Sequence, residues 1–289
     1  MDITTTRPEQ AGPSWIRTHP VVAFVATTYT LSWSLWLLAW VLAEPVGAER
    51  WVAGVPFIAG GFGPAAAAIL VVRWTGGSVR AWARPIVRWR LPLRYYAYAL
   101  GLPAALFVVA NGVVALLGEP VDPGLLGERW PAYLATFVFT LTLGGALEEP
   151  GWRGFALPRL QHRFTPLAAT ALLGLAWGVW HVPIYGPLGF VVPFVLAFFY
   201  TWLYNRTGSV LLCILLHASF SPAQDHLMLL ADEVHGTTDL AIGLAYLVGA
   251  GVLVAITRGR LGHDPSTRSG PDAPDDEAAA SAGTASVRT

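Results

Sequence analysis

The sequence has a single cysteine, Cys213, in 289 residues, which excludes a disulfide framework within the chain and any cysteine-rich zinc site. It has no lysine: all 18 basic residues are arginine, and 18 acidic residues balance them to a formal net charge of +0. No bulk basic surface advertises nucleic acid, and none is expected as a partner. Charge of either sign is scarce, at 12% of residues against roughly 25% in an ordinary soluble domain. With 54% of residues hydrophobic, a water-soluble globule is excluded.

What the sequence has in abundance is long apolar runs. A helix needs about 20 predominantly apolar residues to cross a bilayer, and eight runs approach that length, at 20–43, 51–72, 93–117, 131–147, 166–182, 188–204, 209–223 and 240–257. Glycine or proline interrupts several of them, which is tolerated at membrane depth only where protein or a water-filled cavity satisfies the freed backbone groups. The first run is too long for a signal-peptide core and lacks a convincing small-residue cleavage site, so it reads as a retained helix. The expected fold is an all-α, polytopic bundle of about eight membrane helices over residues 20–260, preceded by a cytoplasmic segment at 1–19. Beyond 260 the chain turns to Ala, Ser, Thr, Gly, Pro and Asp, the composition of a disordered tail.

The arginines sort by alternate loops. Arg7 and Arg17, the group from Arg73 to Arg94, then Arg153, Arg159 and Arg163, Arg206, and Arg258 with Arg260 fall on one side; the opposite loops hold Arg50 and Arg129 together with Glu44, Glu49, Glu119, Asp122, Glu128, Asp225, Asp232, Glu233 and Asp239. Because cytoplasmic loops carry the positive charge, both termini are expected in the cytoplasm, with the protein in a bacterial-type cell membrane. The stretch 78–94 alternates Arg with Trp, Ile and Val, as a helix lying in the headgroup layer would, its guanidinium groups toward anionic lipid.

Ionisable groups inside apolar helices are costly and by default line a cavity and do work. Glu148 and Glu149 close the fourth run, His181 closes the fifth, and His217 sits in the middle of the seventh. Each has a bland reading: a solvated carboxylate pair for the glutamates, an interfacial or structural ring for His181, a hydrogen bond to a neighbouring helix for His217. His162, His226 and His235 lie in loops and read as solvated. Four protonatable groups on three helices nevertheless suggest one polar centre. Glu149 and Arg153 are at i, i+4 spacing, where opposite charges meet on a helix, which leaves Glu148 as the better general base, able to take a proton from water and return it. Pro150 disfavours helical geometry at Glu149, so the helix is expected to break there and restart with Pro150 in its first turn.

These residues resemble the CPBP intramembrane proteases, also called the Abi or type II CAAX endopeptidase family. Glu148, Glu149 and Arg153 fill a Glu-Glu-x-x-x-Arg motif, followed by Gly154 and Phe155. Trp177 and His181 fill a motif of an aromatic residue separated by three residues from a histidine, with Trp where Phe is more usual. His217 fills a third, in which Asn or Asp follows four residues on; here that position is Ser221. The resemblance covers about 143–221. It implies cleavage of a peptide bond in a membrane-associated protein or peptide, CAAX-type and prenylated among the options, by water that Glu148 and His181 activate, with His217 and Ser221 holding the oxyanion and Glu149 and Arg153 orienting the site. It also implies partners limited to that substrate and the lipid bilayer.

The family is often labelled metalloprotease, and Glu148, His181 and His217 are the set that would hold Zn2+; the His-Glu-x-x-His zinc signature is absent, and a metal-free glutamate mechanism is the preferred reading. A non-catalytic regulator or immunity protein that binds peptide or lipid in the same cavity is the alternative, favoured by Ser221. A proton-coupled transporter would show matching hydropathy repeats, and the ionisable residues cluster instead in runs four to seven. One geometric demand follows. At 1.5 Å per residue, His181 lies about 22 Å along a helix starting at Pro166, near the outer face, whereas Glu148 ends a helix near the inner face, so one of the two helices must be distorted if they are to meet.

Overall fold

In lipid, apolar runs must satisfy their backbone groups within themselves, and the computed structural model obeys this throughout. It describes residues 13–44, 49–230 and 235–264; the first twelve residues, Asp232, Glu233 and the polar tail from 265 onward lie outside them. Among the described residues every extended element is helical, and pairing of β type is limited to one isolated bridge between Val121 and Leu230.

Ten helices carry the architecture: α1 Pro20–Ala43, α2 Arg50–Gly61, α3 Gly63–Trp74, α4 Leu93–Leu116, α5 Leu125–Thr142, an irregular α6 over 145–161, α7 Pro166–Tyr185, α8 Val191–Thr207, α9 Val210–His226 and α10 His235–Ile256. Six helices, counting 125–161 as one, are long and apolar enough to span a bilayer, and the protein is an integral, multi-pass membrane protein. The second expected span is two helices, α2 and α3, bent by 50° where they meet, with Pro64 opening α3; together they make a seventh. The 17-residue α9 is at the lower limit for a span and is the central helix, packed against α4 and α5.

Several sequence expectations are corrected: Arg153, counted with the loop arginines, is fully buried in α6, and Asp225, His235 and Asp239 lie in helices rather than loops. The stretch 78–94 is not one surface helix: Val79–Ala83 is a single turn capped by the Ser78 hydroxyl, Arg84–Val87 is a 3-10 turn, and Pro85 and Pro92 prevent continuation. Glu128 and Arg129 belong to the first turns of α5 rather than to a loop, because the Arg129 guanidinium satisfies the carbonyls of Met228 and, at 2.9 Å, Leu230. His226 is half-buried at the end of α9, with its Nε2 3.1 Å from the Thr136 hydroxyl, not a solvated loop residue.

The arginine-bearing loops gather at one end of the bundle. There Arg163 donates to the Thr18 carbonyl at 3.4 Å, the Ser209 hydroxyl to the Arg88 carbonyl at 2.7 Å, and Asn205 to the Leu261 carbonyl at 2.9 Å. At the opposite end Asn111 donates to the Leu227 carbonyl at 2.7 Å and the Asp122 N–H to Leu229 at 2.8 Å.

Close backbone approaches let α6 into the centre of this bundle. A β-carbon on Gly151 would stand 2.4 Å from the Pro64 carbonyl oxygen on α3, backbone that cannot turn aside. Gly151→Ala is therefore expected to destabilise by about 1–3 kcal/mol, the cost of overpacking. Gly101→Ala, in α4 with nothing within 4 Å, is expected to be neutral or slightly stabilising; thermal melts of the two variants in detergent micelles decide it.

Candidate active site

Two prolines shape the segment that carries the glutamates. The α5 helix ends at Thr142, and the N–H groups of both Leu143 and Gly144 turn back to the Phe139 carbonyl. Gly145–Glu148 then forms a 3-10 turn and Glu149 opens regular helix. Pro150 cannot donate to the Ala146 carbonyl, and the Glu149 N–H takes that acceptor instead, in i, i+3 fashion. Downstream, Trp152–Ala156 winds as a π turn ahead of Pro158, whose missing N–H and ring disfavour a regular turn there. The helix thus breaks before the glutamates rather than at Glu149, with Pro150 in the first turn of the restart as expected.

This distortion is what brings the site together. Because α6 runs back antiparallel to α7, Glu148 and His181 meet: Glu148 Oε2 lies 4.0 Å from His181 Nε2. The same oxygen accepts a 2.7 Å hydrogen bond from the Trp177 indole N–H. His181 Nδ1 is 2.8 Å from the Trp177 carbonyl, which can only accept, so Nδ1 carries the proton and the neutral ring presents Nε2 as a bare lone pair.

Glu149, one residue on, points to the other side. Its Oε1 is 3.0 Å from Arg153 Nη1 and 2.9 Å from His217 Nδ1, and both carboxylate and guanidinium are fully buried. The guanidinium carbon also lies over the rings of Trp177 and Tyr200, at 4.0 and 4.3 Å from their centroids, an attraction of about 2 kcal/mol when desolvated. With Nδ1 hydrogen-bonded to Glu149, the His217 ring also turns Nε2 inward. Glu148 Oε1 and His217 Nε2 each lie 2.7 Å from the point where a β-carbon would sit on Gly145, so the two groups face each other across the room that a glycine leaves.

Five of the six residues singled out in the sequence thus share one centre. Ser221 does not join it: its hydroxyl donates to the His217 carbonyl of its own helix at 3.4 Å. Trp177 enters as a hydrogen-bond donor rather than as packing, and Tyr200 and Gly145 were not anticipated; Tyr200 lies in an aromatic run of α8 that carries no signal of function, whereas the Gly144-Gly145 pair beside two glutamates is a signal that could have been read. For a zinc ion the donor set does not fit: among the described residues no three His, Cys, Asp or Glu side chains converge as ligands, and Glu148 Oε2 already accepts from Trp177.

Residues 130–221 match the family described as type II CAAX prenyl endopeptidase Rce1-like. That region resembles a type II CAAX endopeptidase core. It begins some way ahead of the motif region read from the sequence and takes in most of α5, the helix that leads into the break. A curated protein named CAAX prenyl protease 2, from Methanococcus maripaludis, is 29% identical over 136 residues, 40% of this chain and 48% of that protein. The chain spans about half the length of this curated relative. The core's polar centre, α6 with parts of α7, α8 and α9, is the densest cluster of buried charge in the described residues.

Arg153→Met would keep much of the side-chain volume while leaving Glu149 as a buried, uncompensated charge. Breaking such a pair costs about 3–5 kcal/mol, so the variant is expected to melt far below the parent, and the double variant Arg153→Met with Glu149→Gln is expected to recover much of the loss, as a double-mutant cycle in thermal melts would register.

Proposed function

We propose that this protein is a CPBP-family intramembrane endopeptidase that hydrolyses a peptide bond of a membrane-associated protein or peptide by glutamate- and histidine-activated water. The observation that carries the reading is the Glu148 carboxyl group, held on one oxygen by Trp177, faced on that side by the unprotonated Nε2 of His181, and facing His217 Nε2 with its other oxygen over Gly145. Glu148 takes a proton from water, the hydroxide adds to the carbonyl carbon, and the C–N bond breaks as the proton passes to the leaving amine; His181 Nε2 accepts a hydrogen bond from the water and so orients it. In its protonated form His217 donates from Nε2 to the oxyanion while Glu149 stabilises the imidazolium. The substrate class that the relative's name suggests is a CAAX-type, prenylated protein, and the clustering of arginine loops at one end of the bundle supports a cytoplasmic placement of both termini in a bacterial-type membrane.

The second reading, a non-catalytic regulator or immunity protein that binds peptide or lipid in the same cavity, is favoured by one observation: Ser221 aims its hydroxyl along its own helix rather than at the site. A comparison of protein termini in membranes from cells expressing the parent and the Glu148→Gln variant separates the two. New termini are expected only with the parent, and cleavage of any substrate so found should fall by about 10²–10⁴-fold in the variant, as for loss of a general base. Identical termini, with both proteins well expressed, would move the assignment to binding.

Gly145→Ala makes a more pointed probe. Gly145 is not at a positive φ, so alanine is free of backbone strain, but its methyl would occupy the room between Glu148 and His217. Cleavage is expected to drop at least as far as in Glu148→Gln while the melting temperature stays within a few degrees of the parent.

A further inference from the structure

At the arginine-rich end of the bundle, away from the glutamates, lies a cavity of about 350 Å³ bounded by the turn after α6 and by the junction of α8 and α9; Arg88, Gln161, His162 and Arg206 are among its walls. A second cavity, of about 590 Å³, shares Pro158, His162 and Tyr204 with it and adds Arg17 and Arg159. One carboxylate, Asp264, also lines the first, so the walls remain net positive.

Gln161 gives the cavity its character. It is 93% buried, with 7% of its surface exposed, and its side-chain Nε2 is a buried donor without a hydrogen-bond acceptor. An amide N–H left unsatisfied in the interior costs about 1–3 kcal/mol, and because Arg88 and Arg206 line the same cavity, an anion is the acceptor that would suit all three. Arginine is the side chain best matched to phosphate oxygens, through its planar fork of donors.

The surroundings say where that phosphate comes from. Val87, Trp89, Leu93, Phe164 and Leu167 are exposed on this end, Val87 at 70% and Leu93 at 83%, so aliphatic surface in the place of acyl chains adjoins the charged walls, with a Trp of the kind that anchors at the headgroup level. We propose that this cavity is a binding site for the phosphodiester headgroup of an anionic phospholipid, with Arg88, Arg206 and the Gln161 amide as its donors.

The test titrates the detergent-solubilised full chain with short-chain phosphatidylglycerol, phosphatidylcholine and inorganic phosphate, and counts bound molecules by native mass spectrometry. Phosphatidylglycerol is expected to bind at least tenfold more tightly than phosphatidylcholine, and Arg88→Gln with Arg206→Gln to weaken it by about tenfold or more. Arg73→Gln with Arg80→Gln, at the same end but outside both cavities, should leave it unchanged. Gln161→Glu, a single change near isosteric in shape, should exclude the lipid and covers the case in which the double arginine variant fails to fold. Undiminished binding in Gln161→Glu would overturn the proposal, as would an equal loss in Arg73→Gln with Arg80→Gln, which would mean bulk charge alone. Inorganic phosphate that binds as tightly as phosphatidylglycerol would show a site for free anions and overturn the lipid assignment.

Discussion

A carboxylate sealed inside an apolar bundle has to be neutralised locally, and the rest of this site depends on how Glu149 meets that demand. One oxygen accepts from both Arg153 and His217. The first partner is one turn away, so the ion pair forms with the helix itself; the second comes from α9, 68 residues on, so the same atom ties two segments together. Trp177 of α7 and Tyr200 of α8 then cover the guanidinium. Desolvating two ions costs several kcal/mol each, which these contacts offset only in part, since Glu149 Oε2 and Arg153 Nε and Nη2 stay buried without hydrogen-bond partners; the contacts nevertheless hold α6, α7, α8 and α9 against one another.

Once those four segments are fixed, the direction of each imidazole is decided by what holds its far side. His181 spends its Nδ1 proton on a backbone carbonyl and His217 on a carboxylate. Both rings therefore aim Nε2 inward, but the two are not equivalent. His181 is held by a backbone carbonyl, whereas His217 is held by a carboxylate that also pairs with Arg153. In the mechanism proposed above, the acceptor role goes to His181 and the donor role to His217, in keeping with these partners.

Much of this was legible in the sequence. The apolar runs at 20–43, 93–117 and 166–182 correspond closely to α1, α4 and α7, because long uninterrupted hydrophobicity has one solution in lipid. The demand that one helix be distorted before Glu148 and His181 could meet was also readable, from helical rise. Where the distortion falls was not: it depends on which carbonyl loses its donor to Pro150 and on the room that Gly144 and Gly145 allow, and both are properties of the assembled backbone. The interruption at Phe62 could be read from Gly61, Gly63 and Pro64 beside it, but its angle of 50° could not. Tyr200 was invisible for a different reason. An aromatic residue on an apolar helix is the same letter whether it faces lipid or the guanidinium of Arg153, and only the rotation of α8 decides.

The irregularity of α6 is best understood as the means of presenting adjacent glutamates to different neighbours. In a regular helix residues 148 and 149 would point about 100° apart but share one uniform environment at a helix end. Here a 3-10 turn ends at Glu148 and an α turn begins at Glu149, so the two carboxylates leave the backbone at a change of winding, one toward α7 and the other toward α9. The π turn over Trp152–Ala156 then widens the helix where Arg153 must reach back to Glu149 and still lie over two aromatic rings. Glycine at 145 keeps the wall opposite Glu148 open by one methyl group, and Gly151 lets the backbone of α6 touch that of α3. A straight helix through 125–161 would keep both carboxylates in one environment about 100° apart and leave the two histidines without a common partner.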